Sequence, residues 1–341
     1  MMKNLIVYFC LCCFCLGCGQ NTKSPSSYEY SMNLPHPEIN SNNFVEELNK
    51  AVKRYDKEPL YYLRFSKSHC FIEILINDEY VYLGYSISNL VTPLKVSRAI
   101  LKSGKQKLTY RLYPVGDAYK REYEGFDEEF TTLTDQTAFS VSVIEIDNRS
   151  AKDFDDEILI AKHHTPTDEK GNFIASGKPY YEGSFTFTAN VPYEINTLDT
   201  AKDLSKLDKE ELEKKALEWN KMVQKIYETK DKDALARIYF EEEKRNSIAY
   251  YATSEDNQEL WDEYLDVLER KNRMYKEMKD YKMSYFSNNR LVSLLHNTPD
   301  IRYVNGGILT YFYTDEDGDE RYDMDKLYLY MPKDSEDLFP F

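Results

Sequence analysis

The acidic run "TDEDGDERYDMD", residues 314–325, holds the residue types best suited to a hard cation. Calcium takes several oxygen ligands at once, and carboxylates on alternate residues of a tight loop can converge on it. Asp315, Asp317 and Asp319 alternate in this way. An EF-hand loop, however, needs glycine at its sixth position and a bidentate glutamate at its twelfth. Counted from Asp315, Gly318 falls fourth and Lys326 twelfth. A hairpin tip explains the same residues: Asp317-Gly318 makes the turn and the charge keeps it solvated. No metal is expected, and these three aspartates are the weak candidates.

Two histidine motifs could do other chemistry. His163-His164 would be a metal or acid–base pair, but neighbouring side chains on a strand point to opposite faces and cannot grip one ion together. His69-Cys70 raises a thiol nucleophile, which needs a base within hydrogen-bond reach of the sulfur. Beside Phe71 and Ile72, Cys70 reads instead as a small buried hydrophobe. The chain has no G-x-S-x-G, no H-E-x-x-H, no phosphate-cradling glycine loop and no S-x-x-K. No catalytic residue is assigned. Carboxylate pairs are too numerous for the sequence to select or exclude a glycosidase dyad.

Cysteine is concentrated elsewhere. Five of the six cysteines fall between Cys10 and Cys18, next to the apolar run from Leu5 to Leu16 and after a single basic residue, Lys3. A basic start, a short apolar run and a small residue before the cut describe a secretory signal, since a spanning helix needs about 20 apolar residues. Leu16-Gly17-Cys18 resembles the lipobox of bacterial lipoproteins, in which the signal is cut after Gly17 and Cys18 carries the lipid; Cys15 stands where leucine is commonest. The resemblance implies membrane attachment through acyl chains, palmitate among them, at Cys18. Gly19 in place of aspartate implies the outer membrane, and the lack of an acidic stretch after Cys18 implies the side facing the periplasm. No cofactor is expected.

Composition narrows the function classes. Net charge is −15, which argues against nucleic acid, because binding phosphate takes a basic face. Thirty tyrosines against 12 glycines suit either half-buried sheets or a contact surface.

The elements that must position these residues change type along the chain. From 59 to about 190, "YYLRFSKSHCFIEILINDEYVYLGYS", "SGKQKLTYRLYPVG", "AFSVSVIEID", "DEILIAKHH" and "YYEGSFTFTANVPYEI" read as strands broken by turns such as Asn77-Asp78 and Ser103-Gly104. Leu108, Tyr110 and Leu112 share one face, and Lys107, Thr109 and Arg111 the other. A series without intervening helices predicts an antiparallel sandwich. Asn77, Gly104 and the following strand resemble accessory jelly-roll sandwiches of carbohydrate-active enzymes, with Asp78 in place of the usual glycine; this implies topology only.

From 200 to 280 the period becomes helical. Asp208-x-x-Glu211 opens a stripe of Leu212, Ala216, Trp219, Val223 and Ile226. A second helix is expected from Asp233 to Tyr251. A third, from Thr253-Ser254, is expected to carry Trp261, Tyr264, Leu268, Tyr275 and Met278, with the charge runs as solvated faces. β-patterning returns after 280, with Asn288-Asn289 and Asp317-Gly318 as turns.

The expectation is an α+β protein: signal peptide 1–17, lipid anchor and tether 18–58, sandwich 59–195, and 196–341 as helices covering a small antiparallel sheet. Its expected role is a non-enzymatic module binding a protein partner at the envelope, an immunity-type or inhibitor protein being one form. Alternatives are a carbohydrate-binding or hydrolase-associated sandwich and a structural envelope component.

Overall fold

Residues 30, 33–150 and 156–341 are described by the structure, a computed structural model; Gly17 and Cys18 lie outside them. Helix α1 (Phe44–Ala51) is followed by strands β1 (Pro59–Ser68), β2 (Phe71–Ile76), β3 (Glu79–Gly84), β4 (Leu94–Lys95) and β5 (Gly104–Tyr113). After the short helix α2 (Ala118–Glu122) come β6 (Ala138–Asp147), β7 (Ile158–His164) and β8 (Tyr181–Ala189). They form two antiparallel sheets, ordered β4-β1-β6-β7 and β3-β2-β5-β8. One core draws on both, with Leu63, Ile72, Leu108, Tyr110, Leu112 and Val143 almost fully buried. Asn77 and Asp78 both adopt positive φ, 51° and 67°, the conformation a two-residue hairpin turn requires.

The second half begins with α3 (Lys209–Thr229), α4 (Lys232–Tyr250) and α5 (Ser254–Glu269). Each has a side-chain cap: Asp208 accepts from the Glu211 amide, Asp231 from Ala234, and Thr253 with Asp256 forms a reciprocal capping box. The stripe from Leu212 to Ile226 is buried throughout. Strands β9 (Met274–Tyr275), β10 (Tyr281–Phe286), β11 (Leu291–His296), β12 (Leu309–Thr314), β13 (Glu320–Asp325), β14 (Leu329–Tyr330) and β15 (Phe339–Pro340) follow. They make two sheets where one was expected, β10-β11-β14-β15 and β13-β12-β9.

Three expectations need correction. The third helix stops at Glu269: Tyr275 lies in β9 and Met278 beyond it, with Asn272 at φ 54° breaking the helical path. The stretch 18–58, expected as tether, contains α1, whose Phe44 and Leu48 are fully buried one helical turn apart. Ser41 hydroxyl donates to Asp233 (2.6 Å), and Asn49 bonds Ser254 and Asn257 (3.0 and 2.8 Å), fixing this segment to the tops of α4 and α5. The division at 195/196 is crossed by packing: Ala249 and Tyr251 belong to the sandwich core, while Leu75 and Tyr80 join Phe286, Leu291 and Tyr328 in another cluster. No helix among the described residues is long and apolar enough to cross a membrane.

Candidate functional site

The acidic hairpin is closed on itself. Arg321 Nε donates to Asp315 (2.7 Å) and its Nη2 to Asp319 (3.1 Å), while the Asp319 amide donates to Asp315 (2.8 Å). The Arg321 guanidinium beside Asp315 holds that carboxyl below the usual range. Arg321 pairs with both Asp315 and Asp319, and the Asp317 side chain bonds neither of them. No cluster of three metal-ligating side chains exists among the described residues.

The histidines are separated by the pleat. His163 bonds the Tyr110 hydroxyl (3.0 Å) and stacks on Phe185, while His164 is exposed. Cys70 is 1% exposed and free, its Sγ 3.7 Å from the Ala138 carbonyl, and burial pushes its thiol up to about 12. His69 turns instead toward Tyr119 and Phe130.

A cavity of about 250 Å³ lies among α3, α4, α5, β12 and β13. The buried flank of each helix delivers a tyrosine to it: Tyr227, Tyr239 and Tyr264, with Tyr311 from β12. Their hydroxyls are linked to carboxylates: Tyr227 bonds Tyr239 (2.9 Å), Tyr239 donates to Asp325 (3.4 Å), Tyr264 to Glu243 (2.6 Å) and Tyr311 to Asp323 (3.3 Å). Glu242, Asp323, Asp325 and Lys326 also line it.

Charge in this cavity is poorly solvated. Burial raises Asp325 to about 6, against the opposing hydrogen bonds from Tyr227 and Tyr239. Burial, then the neighbouring Glu243, raises Glu242 as well. Burial lowers Lys326 to about 8. Asp323 has a cation, since Arg270 pairs with it and lies over Tyr313. At the margin Arg273 sits over Tyr227 and Tyr311, at 4.9 and 4.6 Å, so these rings already hold a guanidinium. Glu242 and Asp325 make no ion pair among the described residues. Such a cavity can exchange protons near neutral pH or neutralise an organic cation.

A second polar centre joins the halves of the chain. Glu73, fully buried on β2, accepts from Tyr80 (3.2 Å), Tyr113 (3.1 Å), Asn305 (2.5 Å) and Tyr85. Its lone pairs are filled, which makes it structural.

The sequence reading named neither centre. Tyr264 stands in the pattern of the third helix, Tyr227 and Tyr239 fall unnamed in the first two helical stretches, and Glu242 and Asp325 lie inside charge runs; only their common burial distinguishes them. No family model, curated protein or solved structure matches this chain.

Proposed function

We propose that this protein is a lipoprotein anchored through Cys18 in the outer membrane, facing the periplasm, and that it acts as a non-enzymatic protein-binding module. The tyrosine–carboxylate cavity receives a basic side chain of the partner. One observation carries this reading: Glu242 and Asp325 are desolvated carboxylates that no cation contacts directly among the described residues, with Arg98 and Arg245 near the first and Arg273 near the second, and they are set among rings that already accept Arg273. A lysine or arginine placed there would give these carboxylates the direct partner they lack and meet the negative faces of the rings. Thiol, histidine and serine nucleophiles are absent from the lining.

The test is a pull-down from solubilised envelopes at moderate salt, using the whole chain and its Glu242→Gln/Asp325→Asn form. A protein retained by the first and lost by the second supports the reading; recovery of no protein by either overturns it. Affinity for that partner should rise between pH 5 and 7.5, because the cation binds the ionised carboxylates and Asp325 ionises near 6.

A second reading has its own observation. Two carboxyl groups with raised values in one cavity are also the pattern of general-acid catalysis on sugars. Turnover of an envelope glycan that Glu242→Gln abolishes without loss of fold would favour the hydrolase alternative.

A further inference from the structure

Strand β10 ends its sheet, with β11 on one side and no strand on the other. The phase of its main chain follows from one bond. The Asn297 amide donates to the Asp280 carbonyl (2.8 Å), and the β10–β11 pairs continue that register through Lys282↔Leu295 and Ser284↔Ser293. Bonded and non-bonded pairs alternate in an antiparallel ladder. Lys282 and Ser284 therefore bond β11, and the N–H and C=O groups of Tyr281, Met283 and Tyr285 point to the open side. None of these six groups finds a partner among the described residues.

A cleft of about 570 Å³ lies at this edge. Every residue from Lys282 to Phe286 lines it, although neighbouring side chains point to opposite faces, so the strand's edge and not one face is presented. Across from it stand Tyr80, Arg111 and Asn305. Asn305 is only 6% exposed; its Nδ2 donates to Glu73 and Tyr85, and its Oδ1 has no partner. Such a buried, unused acceptor is costly unless something donates to it. Arg111 spends Nε on Glu182 (2.8 Å) and Nη1 on Tyr80 (2.9 Å) and Glu73 (3.5 Å), leaving Nη2; Lys282 makes no ion pair among the described residues, and Asp78 is the carboxylate in the lining.

We propose that an extended segment of a partner protein, carrying an acidic side chain, adds to β10 as a further strand of its sheet. Main-chain bonds would come from Met283 and Tyr285, charge recognition from Lys282, with Arg111 offering its remaining Nη2 as a hydrogen-bond donor, and a donor from the segment would reach Asn305 Oδ1. Strand addition of this kind draws affinity from the main chain and selectivity from the flanking pockets. A sugar fits less well: Tyr80 and Phe286 pack edge to face at 5.6 Å and are both buried, leaving neither ring's face free for stacking. The cleft and the tyrosine–carboxylate cavity share no lining residue, so this inference does not depend on the preceding one.

The whole chain, followed by amide hydrogen exchange, is titrated with a capped heptapeptide of alternating threonine and valine with a central glutamate, and with its central-lysine counterpart. The glutamate peptide should slow exchange at Met283 and Tyr285 by about tenfold or more and bind about fivefold tighter than the lysine form. Met283→Pro removes one outward donor and no β11 ladder donor, a placement an edge strand tolerates. It should abolish binding with Tm retained, and Lys282→Glu should invert the peptide preference. Glu242→Gln should leave both results unchanged. The proposal is overturned by no protection at millimolar peptide, by undiminished binding to Met283→Pro, by a chitin oligosaccharide protecting the same amides better, or by a dimer in light scattering that Met283→Pro dissolves.

Discussion

The guanidinium of Arg245, on α4, stands 3.9 Å from the carboxylate of Glu79, on β3, and both side chains are almost sealed from water. It also lies 4.0 Å over the ring of Phe341. None of its three nitrogens has a hydrogen-bond partner among the described residues. The pair ties the helical half to the sandwich by charge with little directed bonding. Removing one member of a buried pair strands the other, whereas removing both can be nearly neutral.

Arg245→Met should therefore lower stability by about 3 to 5 kcal/mol, and Arg245→Met with Glu79→Gln should recover most of that loss. Urea unfolding at pH 7 of the two single forms and the double form measures the coupling. Additive losses would show that the two charges do not depend on each other.

Asp325 carries a pH prediction. Its folded value of about 6 lies above the unfolded one, so between roughly pH 4 and 6 the folded chain holds a proton that the unfolded chain has lost. This contribution makes the fold more stable as pH falls toward 4 and less stable as pH rises through 6. Asp325→Asn should raise stability at pH 7.5 by about 1 to 3 kcal/mol, with the gain fading by pH 4. Thermal unfolding of both forms at three pH values decides it.

The two cysteines with assigned fates should behave oppositely. Cys18→Ser should abolish lipid attachment and maturation while leaving the folded body intact, read by palmitate labelling and membrane fractionation. Cys70→Ser should leave anchoring unchanged and lower stability by about 1 to 3 kcal/mol, because a hydroxyl would sit in an apolar site. With its thiol raised to about 12, native Cys70 should resist iodoacetamide until the chain is unfolded.

Strand periodicity and turn chemistry were legible. Leu108, Tyr110 and Leu112 face the core, and Asn77-Asp78 and Asn288-Asn289 take positive φ, because both signals are local. The α3 stripe and its Asp208 cap were equally plain. What stayed hidden was long-range. Phe44 and Leu48 make too short a stripe to reveal a helix that needs α4 and α5 to cover it. Tyr275 kept the helical spacing but pairs with Tyr311 on β12, so tertiary pairing overrode the local period. The tyrosine–carboxylate cavity gathers Tyr227 from α3, Tyr239 and Glu242 from one face of α4, and Asp325 from β13, and no sequence spacing records the meeting of these three elements.

Helix α1 also sets an order of events. Asp233, the partner of Ser41 just before it, and Ser254 and Asn257, the partners of its Asn49, lie about two hundred positions further along the chain, as do Ala249 and Tyr251, which complete the sandwich core. A chain emerging from its N-terminus therefore presents α1 and the early strands long before the surfaces that cover them exist. Such late closure slows folding and leaves apolar edges exposed meanwhile. The first half, released alone, should stay unfinished and depend on being shielded until α4 and α5 arrive.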